Sequence, residues 1–132
     1  MTTHADTSRG RLLVAACLFA GFASAHLIDG FLWDAPAEFH LSVPASLLLA
    51  FVFMAALTGL IALAARGSRR AYVGLAVIGF LIALADLAKH GPEMMAQMPW
   101  RSGAISVVLS LGVTLSGLLT GWLAWVARGK PV

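Results

Sequence analysis

Four long apolar runs constrain this chain more than any other feature of its sequence. They cover residues 12–33, 44–65, 71–90 and 102–127, and each is near the ~20 residues that an α-helix needs to cross about 30 Å of hydrocarbon. Only 11% of the residues are charged and 60% are apolar, whereas soluble domains have about 25% and 45–50%. The sequence therefore predicts an all-α integral membrane protein, with residues 1–132 forming one membrane domain.

The connections between the runs are short and rich in residues that end helices. Asp34 and Pro36 follow the first run, arginines and Gly67 follow the second, and Gly91 and Pro92 follow the third. None of these segments is long enough for another domain, and short links place consecutive helices side by side in opposite directions. We therefore expect a four-helix up-down bundle in which spans one and three run the same way.

The basic residues predict the orientation of the bundle. Two, Lys89 and Arg101, lie on one predicted side of the membrane. The other seven lie on the opposite side and are Arg9, Arg11, Arg66, Arg69, Arg70, Arg128 and Lys130. By the positive-inside rule that second side, with both termini, is cytoplasmic. The expected location is a bacterial-type inner membrane, with loops 34–43 and 91–100 outside.

The first span also carries a sequence that a signal peptidase can recognise. Ala23-Ser24-Ala25 has the required small-residue form and follows a basic start and an apolar core. The apolar sequence nevertheless continues to Trp33, which favours a retained membrane anchor over a cleaved leader.

Span four carries small residues at helical spacing. One line consists of Ser102, Ser106, Ser110, Thr114, Gly117 and Gly121, and a neighbouring line of Gly112, Ser116 and Thr120. Such lines let helix backbones approach closely in lipid. They predict either packing inside one bundle or an additional contact, with other membrane subunits or with a second copy of this chain. Lipid is the remaining partner, and no nucleic-acid site is expected because the basic residues lie at membrane edges.

Ionisable residues gather on the predicted outer side. Asp6 is the one acid on the inner side, and the outer acids and histidines are Asp29, Asp34, Glu38, Asp86, Glu93, His26, His40 and His90. Four of these lie within spans, as two pairs: His26 with Asp29, and Asp86 with His90. Spacings of three and four residues put each pair on one helix face, and parallel spans place both pairs at similar depth. Because ionisable groups inside a membrane are costly, they are read first as functional.

Three explanations fit these pairs. The first is a metal site with His26, Asp29, Asp86 and His90 as ligands, suited to zinc, iron or copper. Met94, Met95 and Met98 follow. Their soft sulfur atoms favour copper, although an apolar loop that dips into the membrane interface explains the same residues. The second is a haem held by His26 and His90, which is the less favoured because their predicted depths differ. The third is structural: each aspartate pairs with the histidine of its own helix, so that no buried charge is left alone.

The sequence does not identify a reaction. It contains no G-x-S-x-G, H-E-x-x-H, P-loop or C-x-x-C pattern, and Cys17 is its single cysteine. Our leading functional hypothesis is a small subunit of a larger membrane complex, redox or metal-handling, with an outward-facing His/Asp site. The alternative is a stand-alone membrane enzyme or carrier that uses the same site on a lipophilic or ionic substrate.

Overall fold

The structure, a computed structural model, describes residues 3–33, 35–95 and 103–129. Every regular element in these ranges is a helix: α1 (Thr3–Leu32), α2 (Ala35–Glu38), α3 (Val43–Ala65), α4 (Arg69–Met95) and α5 (Ala104–Ala127). All but the short α2 are long and apolar enough to cross a membrane. The prediction of an all-α chain with four membrane-span-like helices is therefore confirmed, while the direction in which the termini face remains a prediction.

A tight turn joins α3 to α4 and makes them antiparallel. Gly67 takes a left-handed φ of 81°, which glycine adopts without a steric penalty. Its N–H donates to Ala64 O at 2.9 Å, and the N–H of Ser68 donates to Leu63 O at 3.0 Å. The last turn of α3 is thus closed in the manner of a helix C-cap, and the Ser68 hydroxyl accepts from Ala71 N to cap α4.

Helix α4 extends past the predicted end of the third membrane span. That end was placed at His90, before Gly91 and Pro92, and α4 continues to Met95 with Pro92 inside it. Proline removes its own backbone donor, and a side-chain bond between His90 and Glu93 crosses the same turn. The extension keeps Glu93 on the helix, one turn from His90.

Helix α5 lies between α1 and α4, and most of its small residues are buried between the two. Ser102, the first residue of one predicted line, lies outside the described residues. The remaining members of both lines are used inside the chain: a Cβ on Gly79 of α4 would lie 2.6 Å from Gly117 O, and one on Gly112 would collide with the Phe22 ring of α1. Internal packing therefore accounts for the small residues, and association through span four stays a prediction. Helix α3 contacts α1 and α4 more loosely, so α1 and α4 occupy opposite corners.

The bundle has an apolar half and a polar half. Leu12, Phe19, Leu57 and Leu75 are fully buried towards the end at which α1 begins. The buried acids Asp29 and Asp86, with Ser106 and Ser110, lie towards the opposite end, where α1 and α4 finish and which we call the site end. The half of the core at the site end is thus built around ionisable groups, whereas the other half is mainly apolar and includes the buried Thr120.

Candidate metal centre

Asp86 lies at the centre of the polar half. Its side chain is only 5% exposed, and its Oδ2 atom accepts hydrogen bonds from Ser110 Oγ at 2.7 Å and Thr114 Oγ1 at 2.8 Å. These two hydroxyls are one turn apart on α5, so they hold the carboxylate from one side. The other oxygen, Oδ1, is left facing the interior of the bundle.

Two imidazoles meet that second oxygen. His26 Nε2 lies 3.4 Å from Asp86 Oδ1, across the interior from α1 to α4. His90 Nε2, one turn further along α4, lies 3.9 Å from the same oxygen. The two rings form an edge-to-face pair with centroids 5.3 Å apart. The three residues therefore present one donor atom each, all within 4.8 Å of one another.

Glu93 determines which nitrogen of His90 faces Asp86 as an acceptor. Its Oε2 lies 2.7 Å from His90 Nδ1, and a carboxylate accepts hydrogen bonds, so Nδ1 is the protonated nitrogen. In neutral imidazole the other nitrogen then carries a lone pair. In that tautomer His90 Nε2, which lies 3.9 Å from Asp86 Oδ1, can bind a cation together with this oxygen, whereas in a protonated His90 it donates towards the same oxygen.

Asp29, the fourth predicted ligand, lies outside this group. It is 8% exposed and accepts a hydrogen bond from Ser106 Oγ at 2.7 Å. Three residues along an α-helix correspond to a rise of about 4.5 Å and an angular offset of about 60°. Asp29 therefore stays on the same side of α1 as His26 but lies nearly one turn further along the helix, where it bonds to α5. The structure brings together three of the four predicted residues.

Other predicted contributors lie elsewhere. His40 is exposed in the turn after α2, with a left-handed φ of 54°, and Met95 is 88% exposed. Asp34 and Met98, and the side chains of Glu38 and Met94, are outside the part of the chain that the structure describes. Met95 is the one of the three predicted methionines whose side chain is described, and its exposed position gives the copper prediction no support.

Sequence reasoning missed the hydroxyl partners of the acids. Ser106, Ser110 and Thr114 were interpreted as small packing residues, yet each donates to a buried carboxylate. A signal was available, because an apolar helix that carries hydroxyls four residues apart can offer donors to acids on neighbouring helices. Spacing alone does not separate that role from close packing.

A pocket of about 670 Å³ adjoins the cluster. Its walls come mainly from α1, α3 and α4, with Pro36 and Phe39 of the connecting segment at the site end. Lys89 Nζ lies 4.1 Å from the centroid of the Phe39 ring, a cation–π contact that joins the connecting segment to α4. His26, Asp86 and His90 all line the pocket, so a small molecule in it would reach the donor atoms.

The three donor atoms could hold one metal ion. Two donors bound to one ion at about 2.1 Å and at the tetrahedral angle lie about 3.4 Å apart, which is the distance between His26 Nε2 and Asp86 Oδ1. His90 Nε2 lies 3.9 Å from the same oxygen, so its side chain has to move towards the other two donors when an ion binds. A haem does not fit between the histidines, because their rings are already in edge-to-face contact.

Comparisons of the chain with protein-family models, curated proteins and solved structures found no match. The functional conclusion therefore rests on the geometry of the site.

Proposed function

We propose that this protein is a metal-handling membrane protein that binds one divalent transition-metal ion. The ligands are His26 Nε2, Asp86 Oδ1 and His90 Nε2. The observation that carries the proposal is the cluster of three donor atoms, one from each of these residues, within 4.8 Å of one another beside a buried carboxylate. A cation bound to all three neutralises that carboxylate.

The surroundings of the ligands support metal binding. Metal-bound histidines usually donate their second ring N–H to a carboxylate or carbonyl, which orients the ring and increases its basicity. Glu93 is such a partner for His90, and Ser110 and Thr114 orient Asp86 in the same way. For His26, Nδ1 is buried and has no hydrogen-bond partner among the described residues, so packing of α1 has to hold its ring.

Two histidines and one carboxylate favour iron(II) or zinc(II). This set leaves coordination positions open, as in iron(II) oxygenases and catalytic zinc sites. Copper(I) prefers sulfur ligands, and Met95 points into solvent or lipid with 88% of its surface exposed. We therefore expect iron(II) or zinc(II) to be preferred to copper(I).

The setting of the site separates the two functional hypotheses. All three ligands come from one chain and adjoin a pocket of that chain, which favours a self-contained metal protein. Only 11% of the apolar window of α3 is buried, and this exposed face can contact lipid or a further membrane subunit, so it fits both hypotheses. Solubilisation in mild detergent distinguishes them, since a subunit elutes with other chains and a self-contained protein does not.

We further propose that the site end faces the periplasm. The seven basic residues on the opposite side of the spans support this direction. In this orientation the metal ion and any small ligand are exchanged with the periplasm or with the outer leaflet.

Metal analysis of the purified protein tests the main proposal. We expect about one iron or zinc ion per chain, and binding about 10–100-fold or more weaker after Asp86→Asn or His90→Ala. His40→Ala is the matched control, because His40 is an exposed histidine outside the cluster. Equal metal content in all four proteins would refute the proposed ligand set.

A further inference from the structure

The pocket beside the metal centre has one polar region and apolar walls. Its volume of about 670 Å³ falls within the range of about 300–1,000 Å³ that is typical of small-molecule sites. Leu27, Leu49, Ala50, Phe53 and Ile82 form much of its wall. A ligand that fills it must therefore be largely apolar.

The charges that line the pocket select the head group of such a ligand. Asp29, Asp86 and Glu93 contribute −3 and Lys89 contributes +1, which leaves −2 with both imidazoles neutral. A divalent ion at the centre brings this sum to zero. An anionic head group would then add an unbalanced charge among carboxylates, and a cationic one would compete with the metal, so a neutral head group is favoured.

The fold leaves the pocket accessible to a ligand that comes from the bilayer. Most of the surface of α3, which supplies one wall, is exposed along its apolar window, and this helix packs on its neighbours more loosely than α5 does. A lipophile dissolved in the membrane meets this wall at the depth of the pocket. An oxygen atom on its head group can then occupy an open coordination position of the ion.

We infer that this pocket binds a neutral long-chain lipophile whose single oxygen-bearing head group, an alcohol or a ketone, lies at the His26–Asp86–His90 centre. The inference rests on the proposed metal binding and names the class of substrate for that site. It gives the alternative of a stand-alone protein a defined class of ligand, because the head group lies at the metal and the chain lies in the same pocket.

A series of ligands with one chain length tests the inference. Full-length protein in phosphatidylcholine nanodiscs, loaded with cobalt(II) as a spectroscopic substitute, is titrated with dodecanol, dodecane, dodecanoate and dodecylamine. We expect dodecanol to alter the cobalt(II) absorption in a saturable way, with an affinity at least about tenfold higher than those of the other three. Native mass spectrometry of metal-free protein measures binding to the pocket independently of the ion.

Two alanines of α3 provide a matched pair of variants. Ala50 lines the pocket, whereas Ala56 is exposed outside it. Ala50→Trp fills the cavity and should weaken dodecanol binding about tenfold or more, while Ala56→Trp should leave it unchanged. Cobalt(II) stoichiometry should remain the same in both variants, which also shows that they are folded.

Each other outcome has a defined meaning. Equal binding of dodecane and dodecanol, or preference for dodecylamine or dodecanoate, would overturn the inference, as would unchanged dodecanol binding in Ala50→Trp. If dodecanol binds the metal-free protein and neither the wild type nor any variant takes up metal, the proposed metal binding is refuted, and so is coordination of the head group by a metal. Binding of a lipophile in the pocket is then still supported. If metal binds and dodecanol does not, only the inference fails.

Discussion

Thr114→Val removes a single hydroxyl that donates to the buried Asp86 and keeps the shape of the side chain. The lost bond is 2.8 Å long and ends on a carboxylate that is 5% exposed. Hydrogen bonds between helices in membranes contribute about 0.6 kcal/mol on average, and bonds to charged groups about 1.5–3 kcal/mol. Because Ser110 still donates to the same oxygen, we expect the free energy of unfolding to fall by about 1–2 kcal/mol.

The same substitution should also weaken metal binding. Loss of an outer-shell partner typically lowers metal affinity about 10–100-fold, because the carboxylate is then less firmly oriented. Unfolding in mixed micelles measures the first effect, and competition with a chelator of known affinity measures the second. The free energy of unfolding is to be measured on metal-free and on metal-loaded protein, so that stabilisation by bound metal is separated from the effect of the lost hydrogen bond.

Thr120→Val is the matched control for this experiment. Thr120 lies on the same helix, is fully buried, and its Oγ1 has no hydrogen-bond partner among the described residues. Removing a buried hydroxyl without a partner should leave stability unchanged or raise it by up to about 1 kcal/mol, with no effect on the metal. If Thr120→Val and Thr114→Val have equal effects on stability and metal affinity, the assignment of Thr114 as an orienting donor is refuted.

Two further predictions concern the bundle as a whole. Gly79→Ala should destabilise the fold by about 1–3 kcal/mol, because the new Cβ would lie 2.6 Å from Gly117 O. Gly59→Ala is the control, since its Cβ would meet no atom within 4 Å and the substitution should be neutral or stabilising by up to about 1 kcal/mol. Equal unfolding free energies of the two variants would show that α4 and α5 do not pack at Gly79. In a Cys17→Ala background, His40→Cys should react with an impermeant thiol reagent added to intact cells and Ser68→Cys should not, because the proposed orientation has Ser68 in the cytoplasm. Labelling of Ser68→Cys without labelling of His40→Cys would invert that orientation and the proposed periplasmic site with it.

The all-α class and the four membrane-span-like helices were determined by the sequence alone. Hydropathy over about twenty residues is a property of each segment, because every backbone group of a spanning helix is satisfied within that helix. Ionisable residues within apolar spans are rare, so His26, Asp29, Asp86 and His90 were all candidates before any contact was known. The end of the second span at Ala65 was also predicted, because a run of arginines follows it.

The pairing of these residues was decided by the tertiary structure. A one-dimensional pattern fixes which residues share a helix face but not how each helix is rotated towards its neighbours. Close contact of Gly79 with Gly117 sets that rotation for α4 and α5, and it turns Ser110 and Thr114 towards Asp86. The packing of α5 on α1 likewise brings the Ser106 hydroxyl within hydrogen-bond distance of Asp29. His26 is then the residue of α1 that faces Asp86. The sequence supplied the ionisable groups, and the rotation of the helices, which depends on contacts between distant segments, decided which of them form the centre.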